Sequence, residues 1–409
     1  MPQTIHHRSF ANGLTLVAEP MGWVESAAFA LLVPSGCQRE PGGRAGLAAF
    51  TGEMVQRGCG ERDSREFIDD LENLGVERSA SVSNAHASFG GAMVADKLPE
   101  VLSVYADVVQ RPHLPEDELE DTRLGCLQEV RAIEDEPAHK VMQELRKQLY
   151  PDPYGRSSQG TQQTVEAISL DDVAGYFEST YTPASAILSV AGNIEWTKLS
   201  ADVERLFGAW ENRPLPTLKE AVTRENRLHL SQESSQTHIA VGFPSVPYSH
   251  ADFFQARAAV GVLSDGMSSR LFTEVREKRG LSYSVYASCH SLRDRGTVMC
   301  YAAAVPEKAQ EALDVLLAEL KRLAQGVEPD ELVRLKARMK SSLIMQQESS
   351  ASRASSIAGD WYFLGRVRTM DELSRILDGI TCETINAYLA AHPPKDFTVV
   401  TLGREPLKV

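Results

Sequence analysis

Long apolar stretches are missing from this sequence. Its longest runs are short and broken, such as Ser26 to Pro34, and a membrane helix needs about 20 apolar residues. The opening MPQTIHHRSFANGLTLV has no basic segment leading into an apolar one, so no secretory signal is expected. Cysteine is sparse and scattered, at 37, 59, 126, 289, 300 and 382, with no close CxxC pair. A chain this long does not need disulfides, so these thiols are expected to be reduced and mostly buried, with the cytoplasm as the default location. Positive charge is also short. The formal net charge of -14 argues against a nucleic-acid partner or an anionic membrane surface, both of which need clustered cations.

What remains is ordinary globular composition, 43% hydrophobic and 24% charged over 409 residues, enough for two domains. Strands are predicted at Gly13 to Ala18, after an Asn12-Gly13 turn, and at Ala27 to Val33. A helix is predicted from about Gly43 to Gln56. The next has a capping box formed by Asp63 and Glu66, a stripe of Phe67, Ile68, Leu71 and Leu74, and Gly75 as its stop. Two strands are read over 77–95. Helices follow at 98–109 and from Pro115 past Arg131.

The order of signals then repeats. Pro115-Glu116-Asp117-Glu118-Leu119 is echoed by Glu328-Pro329-Asp330-Glu331-Leu332. Ile168-Ser169-Leu170 is echoed by Ile380-Thr381-Cys382, and AILSVAG at 186–192 by FTVVTLG at 397–403. The offsets of 213, 212 and 211 residues predict a duplication. The expected domains are 1–210 and 231–409, joined by a polar, proline-bearing linker over 211–230.

Residues Gly46 to Gly58 read GLAAFTGEMVQRG. They resemble the inverted-zincin helix of the pitrilysin-like (M16) metallopeptidases, whose pattern is G-[IL]-A-H-F-L-E-H. An HxxEH helix places two imidazoles one turn apart on a zinc ion, with a glutamate beside them as base. Here Ala49 stands at the first histidine, Gly52 at the glutamate and Glu53 at the second histidine. No HxxEH or HExxH occurs among the ten histidines. A complete zinc site is therefore not expected in this chain. By the same resemblance, Glu129 corresponds to the distal zinc ligand and Glu136 to an outer acid seven residues on. Helical spacing predicts these two acids on one face, so that with Glu53 they could converge on an ion. The alternative is that the three acids are hydrated or paired with arginines.

Residues 266–285 read GMSSRLFTEVREKRGLSYSV and resemble the family's carboxy-terminal segment SRLFxxxREKxGLxYxV. The resemblance implies that Arg276, expected near a helix end, and Tyr283, expected to begin a strand, reach over a peptidase cavity. There they hold the substrate backbone and stabilise an oxyanion. Asn84 and Ala85 match an Asn-Ala beside the strand to which substrate peptides add. The implied fold is α/β (α+β), two homologous domains each with a mainly antiparallel six-stranded sheet and helices mostly on one face. The implied function is that of a non-catalytic subunit in a heterodimeric zinc peptidase, with zinc held by an HxxEH partner subunit, none by this chain, and an unstructured peptide as substrate. The alternative is a structural or peptide-binding homologue without peptidase activity.

Overall fold

The computed structural model describes residues 3–222 and 225–409. It contains a six-stranded and a five-stranded sheet. The first is built from β1 (His6–Ser9), β2 (Thr15–Pro20), β3 (Ser26–Val33), β4 (Glu77–Val82), β5 (Ala87–Val94) and β6 (Ile187–Gly192), in the order β1-β2-β6-β3-β5-β4. The second uses β7 (Arg227–Ser231), β8 (Thr237–Ser245), β9 (Val285–Ser291), β10 (Gly296–Ala304) and β11 (Thr398–Gly403), in the order β7-β11-β8-β10-β9.

The two orders are one plan used twice. In each sheet a single parallel pair, β2 with β6 and β7 with β11, adjoins an otherwise antiparallel set. The predicted echoes fall on matching elements. Ser169 and Thr381 both start helices through capping boxes, and β6 and β11 occupy the same place. The second sheet has five strands where six were expected. Among the described residues β1 has no counterpart, and the sequence before β7 is polar and proline-bearing, without an alternating apolar pattern.

One face of each sheet is covered locally. In the first, Leu16, Ala18, Phe29, Leu31 and Leu188 pack with helices Ser64–Asn73, Leu98–Gln110 and Trp196–Phe207. In the second, Ile239, Val241, Val298 and Val399 pack with helices Phe253–Ser264, Pro306–Leu323 and Cys382–Ala391. The other faces are apolar as well, and each is covered by one helix from far along the chain. Helix Ser350–Leu364 lays Ala354 and Ile357 against Val17, Ala28 and Ile187. Helix Pro137–Leu149 lays Val141 and Leu145 against Ala240, Met299 and Val400. The compact units are accordingly 1–132 with 156–220 and 345–369, and 133–155 with 221–344 and 370–409. Burial on both faces explains why every residue of β6 and β11 is buried.

All six cysteines are free, four of them buried. No helix among the described residues is long and apolar enough to cross a membrane.

Helix Ser350–Leu364 is fixed by more than apolar contact. Arg353, 1% exposed, donates from Nε at 2.8 Å and Nη2 at 2.6 Å to Glu19 on β2. Gln3 Nε2 donates to the other Glu19 oxygen at 2.7 Å, and Ser189 Oγ donates to the Ala354 carbonyl at 2.6 Å. Replacing one member of such a pair leaves a buried charge alone, a loss of about 3–5 kcal/mol. Arg353→Ala is expected to lose that much in urea unfolding and to speed amide exchange in 350–364. Arg353→Met combined with Glu19→Gln should lose clearly less. Equal losses in both variants would mean that the pair carries no special role.

Candidate functional site

Helix Leu47–Met54 begins beyond Gly46, whose φ of 92° lies in the left-handed region. Its first amides are satisfied by a carboxylate from outside the helix. Glu40 Oε1 accepts from the amides of Gly46 at 3.0 Å and Ala48 at 2.9 Å. Glu40 is 5% exposed, and Oε2 has no hydrogen-bond partner. Burial pushes its carboxyl from 4.5 up to about 8, against the two amides and the Arg156 charge. A partnerless buried oxygen suits the neutral acid, since an ionised one would be far costlier to desolvate.

The residues at the zinc-motif positions do not fit a zinc ion. Ala49 is half-buried and offers a methyl group. Gly52 is buried, and a Cβ built on it would stand 3.1 Å from Val82 Cγ2. A side chain there would be tight against Val82 of β4, whose methyl group would have to give way slightly. Glu53 is exposed at the surface, yet its carboxyl is raised, first by desolvation and then by Glu129, against Arg57 and Arg78. The burial-raised thiol of Cys126, at about 12, is also pushed by Glu53 and then Glu129. Glu53 and Glu129 feel each other's charge, but two carboxylates without an imidazole are an oxygen set unlike that of a catalytic zinc.

Glu136 does not join them on one helical face. Helix Leu119–Glu134 stops short of it, and Glu136 sits at φ −112°, ψ 92° as the residue before helix Pro137–Leu149. Pro137 explains the break. Its ring excludes α geometry from the preceding residue, and it has no N–H to continue the ladder. Glu136 lies 3.3 Å from His139.

Asn84 and Ala85 lie in the bend between β4 and β5 rather than in a strand. The Asn84 carbonyl accepts from Gln38 N at 3.0 Å, and the Ser83 carbonyl from Cys37 N at 3.1 Å. These acceptors are engaged inside the fold. The backbone left open is that of β4, which pairs only with β5 and stands at the sheet edge. Residues Glu77 to Ser81 are exposed.

Arg276 lies in a π-helical turn, Phe272–Glu277. Such turns are rare and recur at functional sites. Three residues beyond the turn stands Gly280, whose φ of 56° favours glycine. Tyr283 sits in a bend two residues before β9, not in the strand itself. The arginine and the tyrosine meet. The Arg276 guanidinium carbon lies 4.4 Å from the Tyr283 ring centroid and 4.8 Å from that of Phe272, and Nη1 donates to the Tyr283 carbonyl at 3.1 Å. Tyr283 is 79% exposed. Among the described residues Arg276 forms no ion pair, whereas its neighbours Lys278 and Arg279 are both held by Glu274. Another arginine of the same signature has a different task. Arg270, 7% exposed, clamps Glu331 at 2.7 and 2.8 Å and donates to the Gly326 carbonyl. Its place in SRLF was readable, but its partner 61 residues on was not.

Residues 19–162 match the family described as Insulinase (Peptidase family M16), and residues 167–339 match Peptidase M16 inactive domain. An uncharacterized zinc protease of Bacillus subtilis is 29% identical over 96% of this chain and 96% of its own length. One from Rickettsia felis is 24% identical over 94% of each. Among solved structures, a peptidase M16 inactive domain from Pseudomonas fluorescens superposes with a TM-score of 0.88 at 21% identity, over 99% of this chain and 100% of that one. A protease from Helicobacter pylori gives 0.89 at 20% identity, over 98% and 99%.

The Glu40 carboxyl carries a pH signature. Between about pH 5 and 8 the folded chain keeps a proton that the unfolded chain has released. Stability should therefore fall as pH rises through this window, by at most about 1.4 kcal/mol per pH unit. Glu40→Gln, which mimics the protonated acid, is expected to flatten that slope in urea titrations run at several pH values. An unchanged slope would show that Glu40 is ionised throughout.

Proposed function

The chain belongs to the M16 peptidase family, and on that premise we propose that it is a non-catalytic, peptide-binding member. One observation carries the reading. The helix where relatives would hold zinc has neither imidazole nor base, with Val82 against Gly52, while β4 beside it keeps an open edge. An extended peptide can add to that edge through backbone hydrogen bonds, which tolerate many sequences. The strand is composed for such an exchange. Beyond Glu77 and Arg78 it runs Ser79-Ala80-Ser81, small side chains that leave room for those of an incoming strand. The Asn84-Ala85 bend fixes the end of β4 and so its register.

The pair of half-buried Arg276 and exposed Tyr283 favours a second, finer reading. A stacked guanidinium and phenol, free of carboxylates and open to solvent, can donate to a peptide carbonyl. In this reading the pair serves a zinc site on an HxxEH-bearing homologous subunit, and this chain supplies half of a peptide cavity. Arg276 grips the substrate backbone, and the Tyr283 hydroxyl donates to the oxyanion. No zinc is held at the degenerate helix of this chain.

The purified chain is expected to bind a fluorescently labelled unstructured peptide, read by anisotropy, and to leave it uncut with added zinc. Proline within β4, at Ala80, should weaken binding by disrupting the edge strand's hydrogen-bonding geometry. Robust zinc-dependent turnover by the chain alone would overturn the non-catalytic assignment. The finer reading has its own test. Mixed with an HxxEH homologue, the chain should generate peptidase activity that neither shows alone. Tyr283→Phe should then assemble and bind peptide nearly normally but turn over roughly 100-fold more slowly, the usual effect of losing one oxyanion donor worth about 3 kcal/mol. Arg276→Ala should weaken peptide binding as well. Wild-type kinetics in both variants, with assembly verified by sedimentation, would leave binding alone as the function.

A further inference from the structure

We propose that His250, Asp252 and His392 form a second, unrelated metal site, one that takes a zinc ion on the surface of the second unit. Among the described residues this is the group whose nitrogen and oxygen atoms could hold a metal, with one ligand atom from each residue and all three within 4.8 Å of one another. Two of the residues come from the loop after β8. His250 precedes, and Asp252 adjoins, the helix that starts at Phe253. The third, His392, follows the last turn of helix Cys382–Ala391.

The geometry is nearly that of a bound ion. His250 Nδ1 stands 3.9 Å from Asp252 Oδ2, and the two imidazole centroids are 5.8 Å apart at 84°. Tetrahedral zinc, with ligand bonds near 2.0–2.1 Å, separates its ligand atoms by about 3.4 Å. The three atoms need to close by at most about 1.4 Å relative to that spacing, a matter of side-chain torsions at the protein surface. The His250 and Asp252 side chains are 40% and 44% exposed, so they can turn without repacking a core.

The local bonding already presents the right lone pair. The Asp252 amide donates to His250 Nδ1 at 3.1 Å, so the lone pair of this nitrogen faces the aspartate's backbone. A metal would replace that amide, which water can then satisfy. His392 is held by its stack on Tyr388, 5.2 Å between centroids at 29°, and the Tyr388 hydroxyl is tied to Ser245 Oγ at 3.2 Å. Such supporting contacts orient metal ligands. The carbonyl end of helix Cys382–Ala391 also favours a cation beside His392.

Two imidazoles and one carboxylate select a borderline metal over calcium or magnesium, which prefer all-oxygen shells. Three protein ligands leave a coordination position for water or an outside group. The ion would join segments 142 residues apart in sequence, as counted from His250 to His392.

The test uses the full chain, stripped with chelator and titrated with zinc chloride by calorimetry, with magnesium and calcium chloride alongside. One equivalent of zinc is expected to bind and to raise the thermal midpoint, while the other two salts do neither. His392→Ala and His250→Ala should each weaken zinc by more than about 100-fold, beyond what loss of a merely supporting partner does, and should abolish the thermal shift. Both residues lie at the surface, so apo variants should melt like the apo wild type. Glu53→Gln with Glu129→Gln should leave zinc binding intact. Anomalous diffraction at the zinc edge should place the ion between the three side chains. The proposal is overturned if the wild type binds no zinc, if both histidine variants bind it unchanged, or if binding is lost in the Glu53/Glu129 variant instead.

Discussion

A sheet with two apolar faces must be covered twice, and that requirement organises this molecule. Alternation along β2 makes the point. Leu16 and Ala18 face one set of helices, and Val17 faces the other way, toward Ile357. The local helices cover a single face. The second cover is a helix drawn from the other half of the sequence, 350–364 for the first sheet and 137–149 for the second. Apolar burial supplies most of the drive, and the Glu19–Arg353 pair sets where the helix sits. A buried charge pair is weak evidence for net stability but strongly penalises any register that separates its members.

Above this frame lie two regions with different chemistry. The Leu47–Met54 helix has a left-handed entry and a capping acid, Glu40, and at positions 49, 52 and 53 it offers a methyl group, no side chain and a carboxylate. Val82 now crowds the position from which a base would act. The π-helical turn Phe272–Glu277 carries Arg276, whose guanidinium lies over the rings of Phe272 and Tyr283.

Much of this was legible in the sequence, and the failures are physically instructive. The duplication showed in Leu119 and Leu332, and in the capping residues Ser169 and Thr381, because cap chemistry and strand alternation are local signals. The degenerate motif was equally plain, since a missing imidazole needs no coordinates to be noticed. Glu136 was misplaced because spacing was allowed to outrank Pro137, a single residue that ends a helix. The second sheet's missing strand was hidden because strand number depends on which polar segments fail to pair. No local signal marks Arg353 as a buried ion-pair residue, because its partner is 334 residues away. The His250, Asp252 and His392 group was invisible for the same reason, since helix ends far apart in sequence have to meet before their side chains can be counted together.

The exchanged helices bear on how such a chain could have arisen. A single ancestral half, standing alone, would expose one apolar sheet face and carry a spare amphipathic helix. Two copies of it would cure both defects by trading helices, which is the arrangement this chain achieves within one polypeptide. Fusion of the two genes would then convert a concentration-dependent partnership into a permanent one. From that point the halves no longer had to be alike. In this chain they differ: one half carries the stacked Arg276 and Tyr283, and the other the helix Leu47–Met54, which has no histidine.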